Sequence, residues 1–135
     1  VLRAYLIDAD LQDDDAKAAT QEDLEDLIPD IEFVLMGSTR DAIGQPAPDI
    51  LIIDIGTLAG PWPQPEMGVR MAEATFRDYQ SAHCFAMSAV GGWADDGAEM
   101  LMDAGLVVHL LSGSKDEWEL TFREHGLLLA TKGGG

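Results

Sequence analysis

A chain of 135 residues can fold as one domain with its own core, and its 25 acidic against 8 basic side chains leave a net charge of −17, which repels nucleic acid phosphates and excludes direct DNA or RNA binding as an expectation. The single cysteine, Cys84, rules out an internal disulfide, and no apolar run approaches the roughly 18–20 residues of a membrane span. With no basic and then apolar leader at its start, the chain reads as a cytoplasmic domain whose acidity favours cations or basic partners.

The first apolar run, Arg3–Ile7, has strand length and ends on Asp8, with Asp10 just beyond. Eleven acids then lie between Asp8 and Glu32, opposed by Lys17 alone. Within that stretch Asp14–Leu27 is a predicted helix, with Ala18, Ala19, Leu24 and Leu27 near helical spacing and Asp13, Asp14 and Asp15 as a solvated, dipole-compatible front. Asp8 and Asp10 are open to a plainer role as caps of that helix. Ile31–Met36 is the second strand, and Ser38–Ile43 a short, weak helix.

Ile50–Ile53 is the third strand, apolar without alternation, and it ends on Asp54, followed by Gly56. An acid at the tip of a run suited to a dry interior is rarely structural. The stretch "GTLAGPWPQPEMG" (56–68) carries three prolines, so Gly56–Met67 is expected to be irregular and solvent-facing. Trp62, held between Pro61 and Pro63, is expected to fold against the domain or a second copy. Trp93, after two glycines, raises the same choice.

Glu66–Tyr79 carries Val69, Ala72, Phe76 and Tyr79 at helical steps. His83–Met87 is the fourth strand, with Cys84 as a small buried residue and Ser88 at its end. Asp95–Ala104 is a helix stopped by Gly105, and Met87 and Met100 read as core. Leu106–Leu111 is the fifth strand, ending on Ser112. His109 reads as a packed histidine, because no second His or Cys lies at a metal spacing in the sequence. Lys115–Leu129 closes the fold as a helix with Trp118, Phe122 and Leu129 on one stripe, and Lys115 as a surface residue at its start. Residues 1–130 form one domain on this reading, with 131–135 a glycine-rich tail or linker.

Strand then helix, five times over, predicts a parallel sheet wound on both faces, and non-alternating strands agree because both their faces are buried. Ligands of such sheets sit at the carboxyl ends of the strands. Those ends carry Asp8 and Asp10, Asp54, Ser88 and Ser112.

Together "YLIDAD" (5–10), "DILIIDIG" (49–56), "FAMSAV" (85–90) and "AGLVVHLLSG" (104–113) resemble the receiver domain of bacterial response regulators, over Leu2 to about Leu129. The resemblance implies a flavodoxin-like α/β fold with strand order 2-1-3-4-5. It implies a non-enzymatic phosphorelay signalling module in two-component signal transduction. Asp54 would be the phosphoacceptor. Asp8, Asp54, the Gly56 carbonyl and, less directly, Asp10 would hold Mg²⁺, and Ser88 would bind the phosphoryl group. His109 falls at the switch aromatic, and Trp118 and Met102 would lie with it on a face used for self-association, built from the last two helices and the fifth strand. The partners implied are a histidine kinase or an effector domain.

The chain departs from that pattern at three places. Ala9 stands where a second acid is usual. Ser112 and Gly113 replace a Lys–Pro pair, with Lys115 three residues on. The glycine that normally follows the acceptor closely is Gly68, fourteen residues away. The expectation is therefore an atypical receiver, with weak Mg²⁺ binding and reduced or absent phosphorylation, acting as a protein-interaction module.

A second reading from another class is a small Mg²⁺-dependent phosphatase resembling the haloacid dehalogenases. It would use the Asp8-x-Asp10 pair, with Ser88 and Lys115 as later motifs. Leu11 and the absence of an acidic pair on a strand after Lys115 weigh against it, and it leaves Asp54 without a role. A flavodoxin-type nucleotide site is disfavoured, since no Ser/Thr/Gly-rich phosphate loop follows the first strand.

Overall fold

The computed structural model describes residues 1–58, 65–89 and 92–128. Five parallel strands, β1 (Leu2–Ile7), β2 (Ile31–Met36), β3 (Ile50–Asp54), β4 (His83–Met87) and β5 (His109–Leu110), form one sheet in the order β2-β1-β3-β4-β5. This is the predicted order. β3 lies at the centre, and all five of its residues are buried, which is why its sequence does not alternate. Ile50 and Ile52 face one core, with Leu6, Leu24, Phe85, Trp118 and Phe122. Leu51 and Ile53 face the other, with Ile7, Val69, Phe76 and Leu101.

The helices cover both faces. α1 spans Asp14–Leu27, the predicted bounds. Its cap is Asp13, whose carboxylate accepts from the Ala16 N–H at 2.7 Å, so neither Asp8 nor Asp10 is spent on capping. The weak segment after β2 is one turn of 3-10 helix, Thr39–Ala42. The loop that follows it is tied down by two tyrosines. Tyr5 donates to the Pro46 carbonyl at 2.6 Å, and the Tyr79 hydroxyl lies 2.5 Å and 2.8 Å from the carbonyls of Ala42 and Gln45.

The stretch after β3 is more ordered than its prolines suggest. The chain passes from Asp54 directly into a short buried helix, α2 (Ile55–Leu58), and Pro65 opens α3 (Pro65–Asp78). Proline is well placed at a helix start, where its missing N–H has no partner to lose. The expectation of an irregular segment is therefore wrong at 56–58 and 65–67, and that of solvent exposure fails at 56 and 58 but holds at Glu66 and Met67. Trp62 and its flanking prolines lie outside the described residues.

α3 lies tight against α2 because Gly68 has no side chain. A Cβ there would stand 2.2 Å from the Ile55 carbonyl oxygen, which is main chain and cannot swing aside. Gly68→Ala is expected to cost about 1–3 kcal/mol in urea unfolding. Gly97→Ala is expected to cost less, because the one atom its Cβ would clash with is the terminal Cδ1 of Ile55, the flexible end of a side chain. Equal costs would show that α3 can retreat freely.

The carboxyl-terminal third departs most from expectation. α4 runs Trp93–Asp103, and Trp93 is half-buried at its start. The fifth strand keeps only His109 and Leu110 of the six predicted residues. Its upstream amides bond elsewhere: Leu106 donates to the Leu101 carbonyl at 3.0 Å and Val107 to the Gln80 side chain at 2.8 Å. The last helix is shorter than expected, a 3-10 turn at Lys115–Glu117 and then α5 (Trp118–Glu124), ended by Gly126 at φ +72°. Leu129 and the glycine tail lie outside the described residues. Cys84 is buried, as expected, and burial pushes its thiol up to about 11. Among the described residues no helix is long and apolar enough to cross a membrane.

Candidate functional site

The carboxyl edge of the sheet gathers most of the residues singled out in the sequence. Asp54 ends β3 and is only 3% exposed, because α2 begins at the next residue and folds over it. Its Oδ1 accepts the Gly56 N–H at 2.9 Å. Ser88, at the end of the neighbouring β4, is also buried. A Cβ on Gly56 would lie 2.3 Å from the Ser88 Oγ and 3.3 Å from Asp54 Oδ1. Glycine at 56 is therefore what lets the hydroxyl and the carboxylate share one small space.

Asp8 ends β1 on the other side of β3, half-buried. Its Oδ1 accepts the main-chain N–H of Asp10 at 2.9 Å, a turn that leaves the Asp10 side chain exposed. Asp54 feels both acids. Burial first, and then the charge of Asp8, push its carboxyl up from an ordinary 3.8 to about 6. The Gly56 and Thr57 amides pull the other way, and Asp10 adds a smaller push.

Thr57 was not singled out by sequence reasoning. Its Oγ1 accepts the Ala9 N–H at 3.0 Å and lies 3.2 Å from the Asp54 carbonyl oxygen, so one hydroxyl ties the end of β1 to the end of β3. A Thr three residues after a strand-end Asp was the only signal, and it is a common local pattern.

At the far side of the edge the described residues Ser112 and Gly113 are uncharged. Ser112 donates to Glu117 at 2.5 Å and accepts the Ser114 N–H at 3.0 Å, so the position where the resemblance places a lysine holds a hydroxyl bonded to an acid. Ser112 and Gly113 line a cavity of about 230 Å³ with Ser88, Ala94 and Asp95. Lys115 turns away, with its ammonium 5.9 Å from the Trp118 ring centroid, and it lines a separate cavity with Asp23, Asp26 and Asp116. The three ion pairs found among the described residues, Arg3–Glu32, Arg77–Glu73 and Arg123–Glu119, involve none of the residues gathered at this edge.

The metal expectation meets the same limit. Among the described residues no three His, Cys, Asp or Glu side chains form a group that could hold a metal ion. Mg²⁺ at this corner would rest on two side chains, Asp8 and Asp54, with main-chain and water oxygens completing its shell.

Two of the interface residues separate in the structure. Trp118, expected on an outer face, is fully buried between Phe33 and Phe122, and its indole N–H donates to the Ser112 carbonyl at 2.7 Å. It is a core residue and offers nothing to a partner. Trp118 and Phe122 of its expected stripe both face inward, and Leu129 lies outside the described residues. Met102 is exposed, 53% of it, and borders the α4–β5 groove with Val108 and Leu110. His109 is half-buried and packs on the Phe85 side of the sheet, against His125.

No protein-family model matches this sequence, and no curated protein matches it. Among solved structures it is similar to the response regulator RcsB from Salmonella enterica serovar Typhimurium, in a structure bound to promoter rprA in the presence of the phosphomimetic BeF3−. The two share 10% identity with a TM-score of 0.58, over 94% of this chain and 98% of that one. At this identity the likeness is one of fold, and the chain has the five-stranded parallel α/β fold of a receiver.

Proposed function

We propose that this domain is a receiver-type signalling module that works chiefly by binding protein partners, with Asp54 as a phosphoacceptor of low efficiency. The observation that carries this reading is the setting of Asp54. It is a buried strand-end carboxylate beside Ser88 and Asp8, with glycine opposite and Ser112 at the position where the resemblance places a lysine. An Asp54 oxygen attacking the phosphorus of a phosphodonor would form an acyl phosphate, the donor oxygen or nitrogen leaving with the bonding pair. Ser88 would donate to the new phosphoryl group. Mg²⁺, held weakly by Asp8, Asp54 and the Gly56 carbonyl, would offset the charge that accumulates.

Ser112 paired with Glu117 puts negative character where that group needs positive, and Ala9 withholds a further carboxylate. Losing one ligand and one cation removes several kcal/mol of stabilisation, enough to slow transfer by orders of magnitude. The partners in this reading are a histidine kinase or an effector domain, met by protein surface rather than by nucleic acid.

Incubation with acetyl phosphate and Mg²⁺, followed by intact-protein mass spectrometry, is expected to show little or no adduct at Asp54. The double change Ala9→Asp with Ser112→Lys is expected to restore part of it, together with Mg²⁺ affinity. Rapid, stoichiometric modification of the unaltered chain at Asp54 would overturn the low-efficiency reading. The phosphatase reading is disfavoured by geometry, since Lys115 lies over Trp118 and Asp10 points to solvent. Asp8-dependent turnover of an aryl phosphate would revive it.

A further inference from the structure

The chain has three histidines, and the fold brings two of them into ring contact, far in sequence from Asp8, Asp10 and Asp54. His109 comes from β5 and His125 from the residue that caps α5, sixteen positions later. Their ring centroids lie 4.4 Å apart and the planes are tilted by 47°, so the rings meet at an angle rather than stack flat. Phe85, fully buried, forms the floor, with centroids 6.0 Å from His109 and 5.2 Å from His125. Both histidines stay half-buried, with an open side to solvent. His83 begins β4 on the same face as Phe85, two residues upstream, and is exposed.

We propose that His109 and His125 form a site for a divalent transition-metal ion of the zinc class, with the two imidazoles as protein ligands and water in the remaining positions. Two nitrogens on a tetrahedral zinc, each at about 2.0–2.1 Å, stand roughly 3.3 Å apart. The ring centres of two imidazoles sharing such an ion stand roughly 5 Å apart, so these rings, at 4.4 Å, would part slightly as the ion enters. Imidazole is the side chain that selects this class of ion over Mg²⁺ and Ca²⁺, which prefer oxygen. A metal binds the unprotonated ring. The net charge of −17 draws cations to the whole surface, and Phe85 lowers the local dielectric. No third His, Cys, Asp or Glu completes a closed cage among the described residues, so the site is open and exchangeable. Occupied, it would cross-link β5 to the end of α5.

Zn²⁺ titration of the full chain, followed through the histidine ring nitrogens by NMR, tests this directly, because three rings give a spectrum that single variants can assign. Excess Mg²⁺ in every sample occupies oxygen-rich sites first. One nitrogen each of His109 and His125 is expected to shift together to saturation. His125→Asn is expected to weaken Zn²⁺ binding by roughly tenfold or more, and His83→Asn by less than about threefold. Asn is well accepted at a helix carboxyl end, so the first variant is expected to fold, and its unfolding midpoint without metal checks this. Zn²⁺ affinity unchanged in His125→Asn, or shifts confined to His83, would overturn the proposal.

Discussion

Asp54→Asn is expected to stabilise the protein by about 2 kcal/mol at pH 7.5, and by almost nothing near pH 4. The folded state holds the Asp54 proton up to about pH 6, whereas the unfolded chain releases it near 3.8. Between those values the folded state binds more protons than the unfolded one, so stability falls as pH rises through that window and is flat above it. A rise from 3.8 to about 6 corresponds to about 3 kcal/mol of destabilisation by the buried charge. Asparagine removes that charge and can still accept the Gly56 N–H through its carbonyl oxygen, at the loss of some fit. Urea unfolding of both proteins at pH 4, 6 and 7.5 gives the comparison. A gain that does not change with pH would mean that the carboxylate is better solvated than its burial implies.

Trp118→Ala is expected to be the most damaging single change, at about 3–5 kcal/mol. The side chain is fully buried, packs against Phe33 and Phe122, and leaves the Ser112 carbonyl without its 2.7 Å indole partner when truncated. That loss approaches the whole stability of an ordinary domain, so a partly unfolded population is expected at 37 °C. Trp118→Phe keeps most of the packing and loses the hydrogen bond, for about 1–2 kcal/mol. Thermal unfolding by circular dichroism would rank them. A Trp118→Ala protein with a native-like midpoint would show that the surface, not the core, claims this residue.

What the sequence made legible follows from where each residue's bonds go. β3 was plain because all five of its residues are dry, and α1 because Asp13 caps it and acids crowd its first turn. Asp8, Asp54 and Ser88 were legible because a parallel sheet must bring its strand ends to one edge. β5 was overcalled because apolar residues continue beyond it, while the Leu106 and Val107 amides bond to α4 and Gln80 instead. The two ends of the stretch after Asp54 were misread as irregular because prolines block regular structure, yet α2 follows β3 at once and Pro65 starts α3. Thr57, the Ser112–Glu117 pair and the meeting of His109 with His125 depend on tertiary neighbours that no local pattern encodes.

The shortness of β5 gives the sheet a stability gradient. β4 and β5 are in register only at Phe85 with His109 and Ala86 with Leu110, supplemented by the Leu111 amide on the Ala86 carbonyl at 3.0 Å. β3, by contrast, is flanked on both sides along its length. Amide protons of β3 are expected to exchange only on global unfolding, and those of Leu110 and Leu111 through smaller, cheaper openings. Native-state hydrogen exchange would resolve the two classes, and equal protection would argue against such a gradient. Because Ser112 and Gly113 follow directly on β5, these openings loosen one wall of the Ser88 cavity while Asp54 and its anchoring amides stay closed. The domain is thus built to let one rim breathe while the carboxylate at its centre is held still.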